Sequence, residues 1–219
     1  GWKVEKVQKL QGMLGWAEDF NQPLENWTIS TSVTSMTNLF AHASAFNQPI
    51  GDWNVGSVQK MQGLFLGATA FNQPLSGWNV GSATATTNMF WGASAFNQPI
   101  GNWNVSKVKL MQGMFRSTSA FNQPLSDWDV ARVTRATNMF ALAIAFNQPL
   151  GNWSVSNIQK LPGMFNGASN FSQCLGSWAS LLPSNAKTTN MFRQTGCESG
   201  TPTPDKLNAS SWCRFSGCA

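Results

Sequence analysis

The clearest pattern in the chain is a tetrapeptide, Phe-Asn-Gln-Pro, that returns at almost constant spacing. It begins at Phe20, Phe46, Phe71, Phe96, Phe121 and Phe146, and a degraded copy, Phe-Ser-Gln-Cys, begins at Phe171. The first interval is one residue longer than the others, which are all equal. A fixed period in the range of a few tens of residues is typical of stacked supersecondary units, none of which buries its apolar face alone. The pattern therefore predicts about eight stacked coils.

Two further aromatic columns keep the same register. A tryptophan follows at a fixed distance from the start of each copy, at Trp27, Trp53, Trp78, Trp103, Trp128, Trp153 and Trp178, and Trp2 fits the same column. A second phenylalanine column comprises Phe40, Phe65, Phe90, Phe115, Phe140 and Phe165. Tryptophan can stack on sugars, but one large ring per coil also fills a narrow core. We expect the tryptophan column to be buried.

The spacing of apolar residues within one copy indicates two elements. In the segment from Leu75 to Val80, apolar side chains occupy the first, fourth and sixth positions, which is the spacing of a leucine-rich-repeat strand. Ser32, Ser57 and Ser82 occupy the position of a helix N-cap. Val58, Met61, Phe65 and Ala68 then recur at helical intervals. We therefore predict an α/β solenoid, leucine-rich-repeat-like, with one short parallel strand and one short helix in each 25-residue coil.

One column within the predicted helix alternates strictly between glycine and asparagine. It reads Gly12, Asn38, Gly63, Asn88, Gly113, Asn138, Gly163 and Asn190. Both residue types tolerate a positive φ, so the helix is expected to end there in a left-handed cap. The alternation makes the chain a 50-residue repeat as well. It is explained by duplication of a two-coil unit, or by like positions lying two coils apart, about 10 Å at ~4.8 Å per step.

The asparagine of the tetrapeptide predicts a hydrogen-bonded ladder. A buried amide both donates and accepts, so each asparagine of this column can bond to the backbone of the neighbouring coil. Ligand contact is the alternative role. The ladder is expected to comprise Asn21, Asn47, Asn72, Asn97, Asn122 and Asn147.

The repeat resembles a known family of surface proteins. The pattern Phe-Asn-Gln-Pro-Leu-x-x-Trp-Asn-Val-Ser-x-Val-x-x-Met-x-x-Met-Phe, best matched from Phe96 to Phe115, is similar to that of BspA-like leucine-rich-repeat variants. The resemblance covers roughly residues 1–192. It implies a secreted or surface-displayed protein that adheres to proteins, cells or matrix.

All four cysteines lie at the C-terminal end of the chain, at Cys174, Cys197, Cys213 and Cys218. An even number confined to one segment predicts two disulfides, for which three pairings are possible. Zinc is the alternative, but no Cys-x-x-Cys pair is present. We predict a repeat region over residues 1–192 and a Cys-rich cap over residues 193–219, linked back to Cys174. Such a cap would cover the open end of the stack.

The composition disfavours catalysis. Only 11% of the residues are charged, against about 25% in typical domains, and the chain contains one histidine and nine acidic residues. Asp127 and Asp129, separated by one residue, are the candidate pair for a glycan-cleaving enzyme, and His42 stands apart in sequence. We expect a non-catalytic protein without a metal or cofactor.

Candidate binding residues lie in a polar row between the core Trp and Val positions. Its members Asn54, Asn79, Asn104 and Asp129 would form a flat strip suited to a repetitive partner such as glycan, mineral or ice, or simply a solvated face. Trp91 lies off the tryptophan column and is a candidate surface contact. Basic residues are placed on the helix side, and they are Lys60, Lys107, Lys109, Arg132, Arg135 and Lys160. With a net charge of +5, they favour acidic glycans or anionic protein surfaces over nucleic acid.

Disulfides and glycosylation signals indicate the compartment. Asn-x-Ser/Thr acceptors occur at Asn26, Asn104, Asn152, Asn170 and Asn208. No apolar run approaches the ~20 residues of a membrane span. We expect a secreted or cell-surface protein that mediates protein or glycan adhesion or scaffolding. A structural subunit of a larger extracellular or organellar assembly is the second hypothesis, and a glycan-active enzyme is the third.

Overall fold

The computed structural model describes residues 4, 6–198, 201–205, 207–214 and 218. Regular structure within them comprises one helix, α1 (Trp178–Leu181), one 3-10 helix (Ala209–Ser211) and isolated parallel bridges. The prediction of an α/β solenoid with a strand and a helix in every coil is therefore wrong. Trp2, expected in the tryptophan column, lies outside the described residues. The bridges join single residues of successive copies in the order Ser35, Lys60, Ala85, Leu110, Arg135, Lys160 and Lys187.

Each coil is built from turns. In the copy that begins at Phe46, six backbone bonds from residue i+3 to residue i close turns over residues 50–53, 55–58, 61–64, 63–66, 65–68 and 68–71. The equivalent six bonds are present in the copies that begin at Phe20, Phe71, Phe96, Phe121 and Phe146. Each coil thus reverses direction repeatedly and returns to its starting position one layer further along the stack.

The predicted helix is absent because two residues four positions apart adopt positive φ. Gly63 has a φ of 60° and Gly67 a φ of 68°, whereas an α-helix needs an uninterrupted run near about −63°. In addition, every second backbone N–H of this segment bonds outside its own coil: those of Met61, Gly63 and Phe65 donate to carbonyls of the following coil. The left-handed conformation predicted for the Gly/Asn column is confirmed, but it joins turns instead of ending a helix.

The predicted strand is absent because turns flank it closely. In the copy containing Trp78, turns over residues 75–78 and 80–83 leave almost no extended backbone between them. The alternation of side chains is nevertheless confirmed, since Trp78 and Val80 are buried and Asn79 is exposed. Ser82 lies in the middle of a turn, so its predicted role as a helix N-cap is wrong.

Three stacked aromatic columns form the core. Tryptophans 27 to 178 of the column are at most 6% exposed, and Trp78 Nε1–H donates to the carbonyl of Ile50 in the previous coil at 2.9 Å. The rings of successive phenylalanines lie parallel, as for Phe90 and Phe115 with centroids 5.7 Å apart. The apolar ring is removed from water and its indole N–H keeps a hydrogen-bond acceptor. The expectation of a buried tryptophan column is therefore confirmed.

The asparagine ladder is confirmed along the stack. Asn47 Oδ1 accepts the backbone N–H of Asn72 at 2.9 Å and the Nε2–H of Gln73 at 3.1 Å. The same backbone bond, also at 2.9 Å, joins the other consecutive copies from Asn21 to Ser172. The amides are half-buried or exposed rather than fully buried. Because this bonding recurs from copy to copy, we assign the asparagine amides a structural role.

The glycine–asparagine alternation has a steric basis. A Cβ added to Gly113 would meet Oδ1 of Asn88 in the previous coil, and Gly63 and Gly163 face Asn38 and Asn138 in the same way. Each asparagine side chain therefore occupies the space above a glycine. The residues that precede Asn88 and Gly113 also contact each other: Thr87 Oγ1–H donates to Gln112 Oε1 at 3.2 Å. The unit of packing is thus a pair of coils.

We expect Gly113→Ala to destabilise the chain by about 2–4 kcal/mol. About 1–2 kcal/mol comes from placing a Cβ at positive φ, and the remainder from displacing the Asn88 amide. In the background of Asn88→Gly, the substitution should cost only the conformational part, since the next atom is Arg116 Cβ at 3.9 Å. A double-mutant cycle of urea unfolding measures the coupling. Equal costs in both backgrounds would contradict the steric explanation.

Two disulfides hold the C-terminal segment against the last copy. Cys174 pairs with Cys218 and Cys197 with Cys213, so the prediction of two disulfides is confirmed and the pairing is nested. Residues 202–204 take the place of a further coil, since Phe192 N–H donates to the Pro202 carbonyl. Trp212, fully buried, contacts the Phe192 ring edge-on, with centroids 6.0 Å apart. The domain boundary between residues 192 and 193 stays a prediction.

Candidate functional site

The predicted polar row lies on the outside of the stack. Asn54, Asn79, Asn104 and Asp129 are exposed, and each stands between a buried Trp and a buried Val. Each side chain also closes its own turn, as when Asn79 Oδ1 accepts the Gly81 N–H at 3.1 Å; the other three do the same. This bonding is typical of Asx turns. It gives the row a structural role, and ligand binding by these residues stays a prediction.

An acidic groove of about 450 Å³ crosses part of this row. Its polar lining comes from Asn102, Asn104, Asp127 and Asp129. Both carboxylates are exposed, and Asp129 Oδ1 accepts the Ala131 N–H at 3.0 Å. The general acid of a glycosidase is typically held in an apolar pocket, whereas Asp127 and Asp129 lie at an exposed surface.

A second groove, of about 550 Å³, is basic. Its charged lining is exclusively cationic, and its lining residues come from four consecutive copies, the first of which begins at Phe46. We name this the basic groove, and it is lined by Lys60, Gln62, Thr84, Ala85, Lys109, Leu110, Thr134 and Arg135. The two grooves therefore differ in charge, the first being acidic and the second basic.

The basic groove follows the line of parallel bridges. Lys60, Ala85, Leu110 and Arg135 are successive bridge partners, so they lie side by side in adjacent coils. Lys60 and Arg135 are exposed, whereas Ala85 is 5% exposed. The short Ala85 side chain forms a floor between longer side chains. From the sequence, the cations and the threonine column of Thr84 and Thr134 are expected on one helix face, whereas the glutamine and apolar residues beside them are not anticipated, although all of these occupy neighbouring columns of the repeat.

Trp91 is half-buried and is partly covered by a cation. The Arg116 guanidinium lies 4.7 Å from the centroid of the Trp91 ring. A cation over an indole face is attracted to the ring quadrupole. The predicted surface contact at Trp91 is thus already occupied on one side by Arg116, and its role in binding stays a prediction.

The exposed aromatic surface of the N-terminal copies centres on Trp16. This ring is 69% exposed and stacks on the His42 imidazole with centroids 3.8 Å apart. Both residues adopt positive φ, at 63° and 61°. His42, which stands apart in sequence, is therefore packed against Trp16.

The five predicted glycosylation acceptors are all exposed. Two of them, Asn104 and Asn208, also accept hydrogen bonds from the hydroxyl groups of Ser106 and Ser210, at 2.7 and 2.6 Å. Modification of any of the five stays a prediction. They are Asn26, Asn104, Asn152, Asn170 and Asn208.

Within the part of the chain that the structure describes, no helix is both long enough and apolar enough to span a bilayer. The same residues contain no group of three or more His, Cys, Asp or Glu side chains arranged to hold a metal ion.

One family model matches this chain twice in succession. The family is described as a Mycoplasma protein of unknown function, DUF285, and the matches cover residues 1–101 and 92–200. A comparison with curated proteins gave no match. The matched region contains the repeats and the beginning of the C-terminal cap.

Proposed function

The chain belongs to the DUF285 repeat family, and from this premise we propose that it is a non-catalytic extracellular binding or scaffolding module. The observation that carries the proposal is the basic groove, a long surface built from equivalent positions of consecutive coils. Such a surface is suited to an extended protein or glycan partner, because consecutive coils place their contacts along one line of the stack. The repeat motif supports the finer proposal of a relationship to BspA-like surface proteins.

The cysteine chemistry supports the extracellular part of the proposal. One disulfide, Cys197–Cys213, lies within the C-terminal cap and the other, Cys174–Cys218, links the cap to the last copy; no described cysteine is free. Disulfides persist in oxidising environments and are rare in reducing ones. A secreted or cell-surface location is accordingly proposed for the protein.

We expect purified protein to bind members of an array of glycans and matrix proteins. Retention should be stronger at about 50 mM than at about 200 mM salt, since exposed charges are screened as ionic strength rises. The protein is fused to an inert carrier for detection, and the carrier alone is the control. Absence of any ligand at low salt would contradict the adhesion proposal. It would favour the structural subunit of a larger assembly.

The acidic groove carries the alternative proposal of a glycan-active enzyme. That alternative is tested on the same glycans, by measuring reducing ends released by the unmodified chain and by Asp127→Asn and Asp129→Asn variants. Activity lost in both variants would support it. No activity, or equal activity in all three proteins, would end it.

A further inference from the structure

We propose that the basic groove and its continuation bind a linear anionic polysaccharide, laid along the stack. This inference rests on the proposed function and names its ligand. The surface, here called the basic row, comprises Lys60, Lys109, Arg135, Lys160 and Lys187.

The basic row follows the period of the fold, since its members come from the same or an adjacent position of five of six consecutive copies; the copy of Ala85 contributes no cation. Arg135, Lys160 and Lys187 are consecutive bridge partners, and Lys60 lies on the same line three bridges earlier. Lys109 precedes Leu110 of that line in the sequence, and it lines the basic groove between Lys60 and Arg135. At ~4.8 Å per coil, the five steps from Lys60 to Lys187 extend over about 24 Å. A polymer with an anionic group on regularly spaced units matches such a row over several units.

The cations of the basic row are available to a ligand. All five side chains are exposed. Among the described residues, none of the five has a carboxylate within ion-pair distance. Their charges are therefore not neutralised within the described part of the chain, and together they account for five of the 14 basic residues. A row of like charges at the surface raises the local concentration of an anionic polymer.

The lining between the cations favours a sugar polymer over a nucleic acid. Thr84 and Thr134 donate their hydroxyl hydrogens to backbone carbonyls and so offer acceptor oxygens, Gln62 offers an amide, and Ala85 with Leu110 forms an apolar floor. Hydroxyl groups and the apolar faces of sugar rings are complementary to this lining. Single-stranded nucleic acids are instead bound through aromatic side chains on which bases stack, and no aromatic residue is among the described residues that line the groove.

The test compares two double variants with the same change in net charge. Lys109→Glu with Arg135→Glu reverses two cations of the basic row. Lys107→Glu with Arg132→Glu reverses two exposed cations of the same two copies that do not line the groove. The probes are alginate, which carries carboxylates, dextran sulfate, neutral dextran and an oligo-dT strand. Near-UV circular dichroism from the buried tryptophans verifies folding, and Lys109→Gln with Arg135→Gln replaces the reversal if that signal changes.

We expect the unmodified chain to bind alginate, dextran sulfate or both at about 50 mM salt, and to ignore neutral dextran. The groove variant should lose on the order of tenfold or more in affinity, because two attractive contacts become repulsive, whereas the control variant should lose less than about threefold. Binding to one polyanion alone identifies carboxylate or sulfate as the recognised group.

Three results would overturn the inference. They are equal losses in the two double variants, no binding to either polyanion, and oligo-dT binding as tight as that of the polysaccharides. If the array nevertheless shows a neutral glycan or a matrix protein as ligand, the proposed adhesion function stands while this inference fails.

Discussion

Replacing Phe115 by alanine is expected to lower the free energy of unfolding by about 3–5 kcal/mol. The ring is fully buried and contacts two neighbouring coils, with centroids 5.7 Å from Phe90 and 5.5 Å from Phe140. It also stacks on Phe121 at 4.3 Å. Truncating the Phe115 side chain leaves a cavity shared by three consecutive coils. Since all three depend on the same core, their side chains can move only slightly to fill it.

Urea unfolding followed by tryptophan fluorescence measures this effect. Phe115→Leu, which keeps most of the volume, should cost substantially less than the alanine variant. Ile144→Ala is the surface control, because Ile144 is 50% exposed and should change stability by no more than about 0.5 kcal/mol. A loss at Phe115 no greater than that at Ile144 would show that the aromatic columns do not stabilise the stack.

Removing the two disulfides is expected to have the second large effect. The loop-entropy relation gives about 3 kcal/mol for the 16-residue separation of Cys197 and Cys213 and about 4 kcal/mol for the 44-residue separation of Cys174 and Cys218. The inner pair should also matter locally, since Cys213 is buried beside Trp212, which covers Phe192. Paired Cys→Ala variants, one for each disulfide, separate the two contributions.

Hydrogen exchange shows where the structure is lost. Because each coil of a repeat stack contacts chiefly its neighbours, loss of the Cys197–Cys213 pair should increase exchange in the cap and in the last copy. The amides between Phe71 and Phe121 should remain protected. Uniform loss of protection along the chain would instead indicate that the cap is required for the whole stack. Unchanged stability in both paired variants would contradict any contribution from the disulfides.

The positions of buried side chains could be predicted from the sequence because they depend on recurrence alone. Residues equivalent to Trp78, Phe65 and Val80 occur at the same positions of almost every copy. Burying such a repeated apolar column against the next coil is favourable whatever conformation the backbone adopts between the columns. The asparagine ladder followed from the same reasoning. The helix was inferred wrongly from Met61 and Phe65, since an interval of four positions is equally produced by two successive turns.

The basic groove could be predicted only in part. Lys60, Lys109 and Arg135 were recognised as a basic side of the chain, because net charge and column position are sequence properties. Their arrangement over a floor containing Ala85 was not, since the period places these residues in neighbouring columns but does not say which columns border a groove. The polar row was placed correctly on the surface, but the Asx turns at Asn79 and its equivalents show that exposure there also has a structural cause.

The amino-acid sequence by itself determined the period, the buried aromatic columns, the asparagine ladder and the disulfide-bonded end. Each of these follows from residue type and spacing. Only the tertiary structure decided that coils close through turns, and that Asn88 and Gly113 must differ. The reason is that a backbone N–H bonds either to a carbonyl within its own turn or to one in the adjacent coil, and a Cβ is tolerated or excluded by a side chain one full repeat away. Both choices are made by contacts between coils, which no local pattern contains.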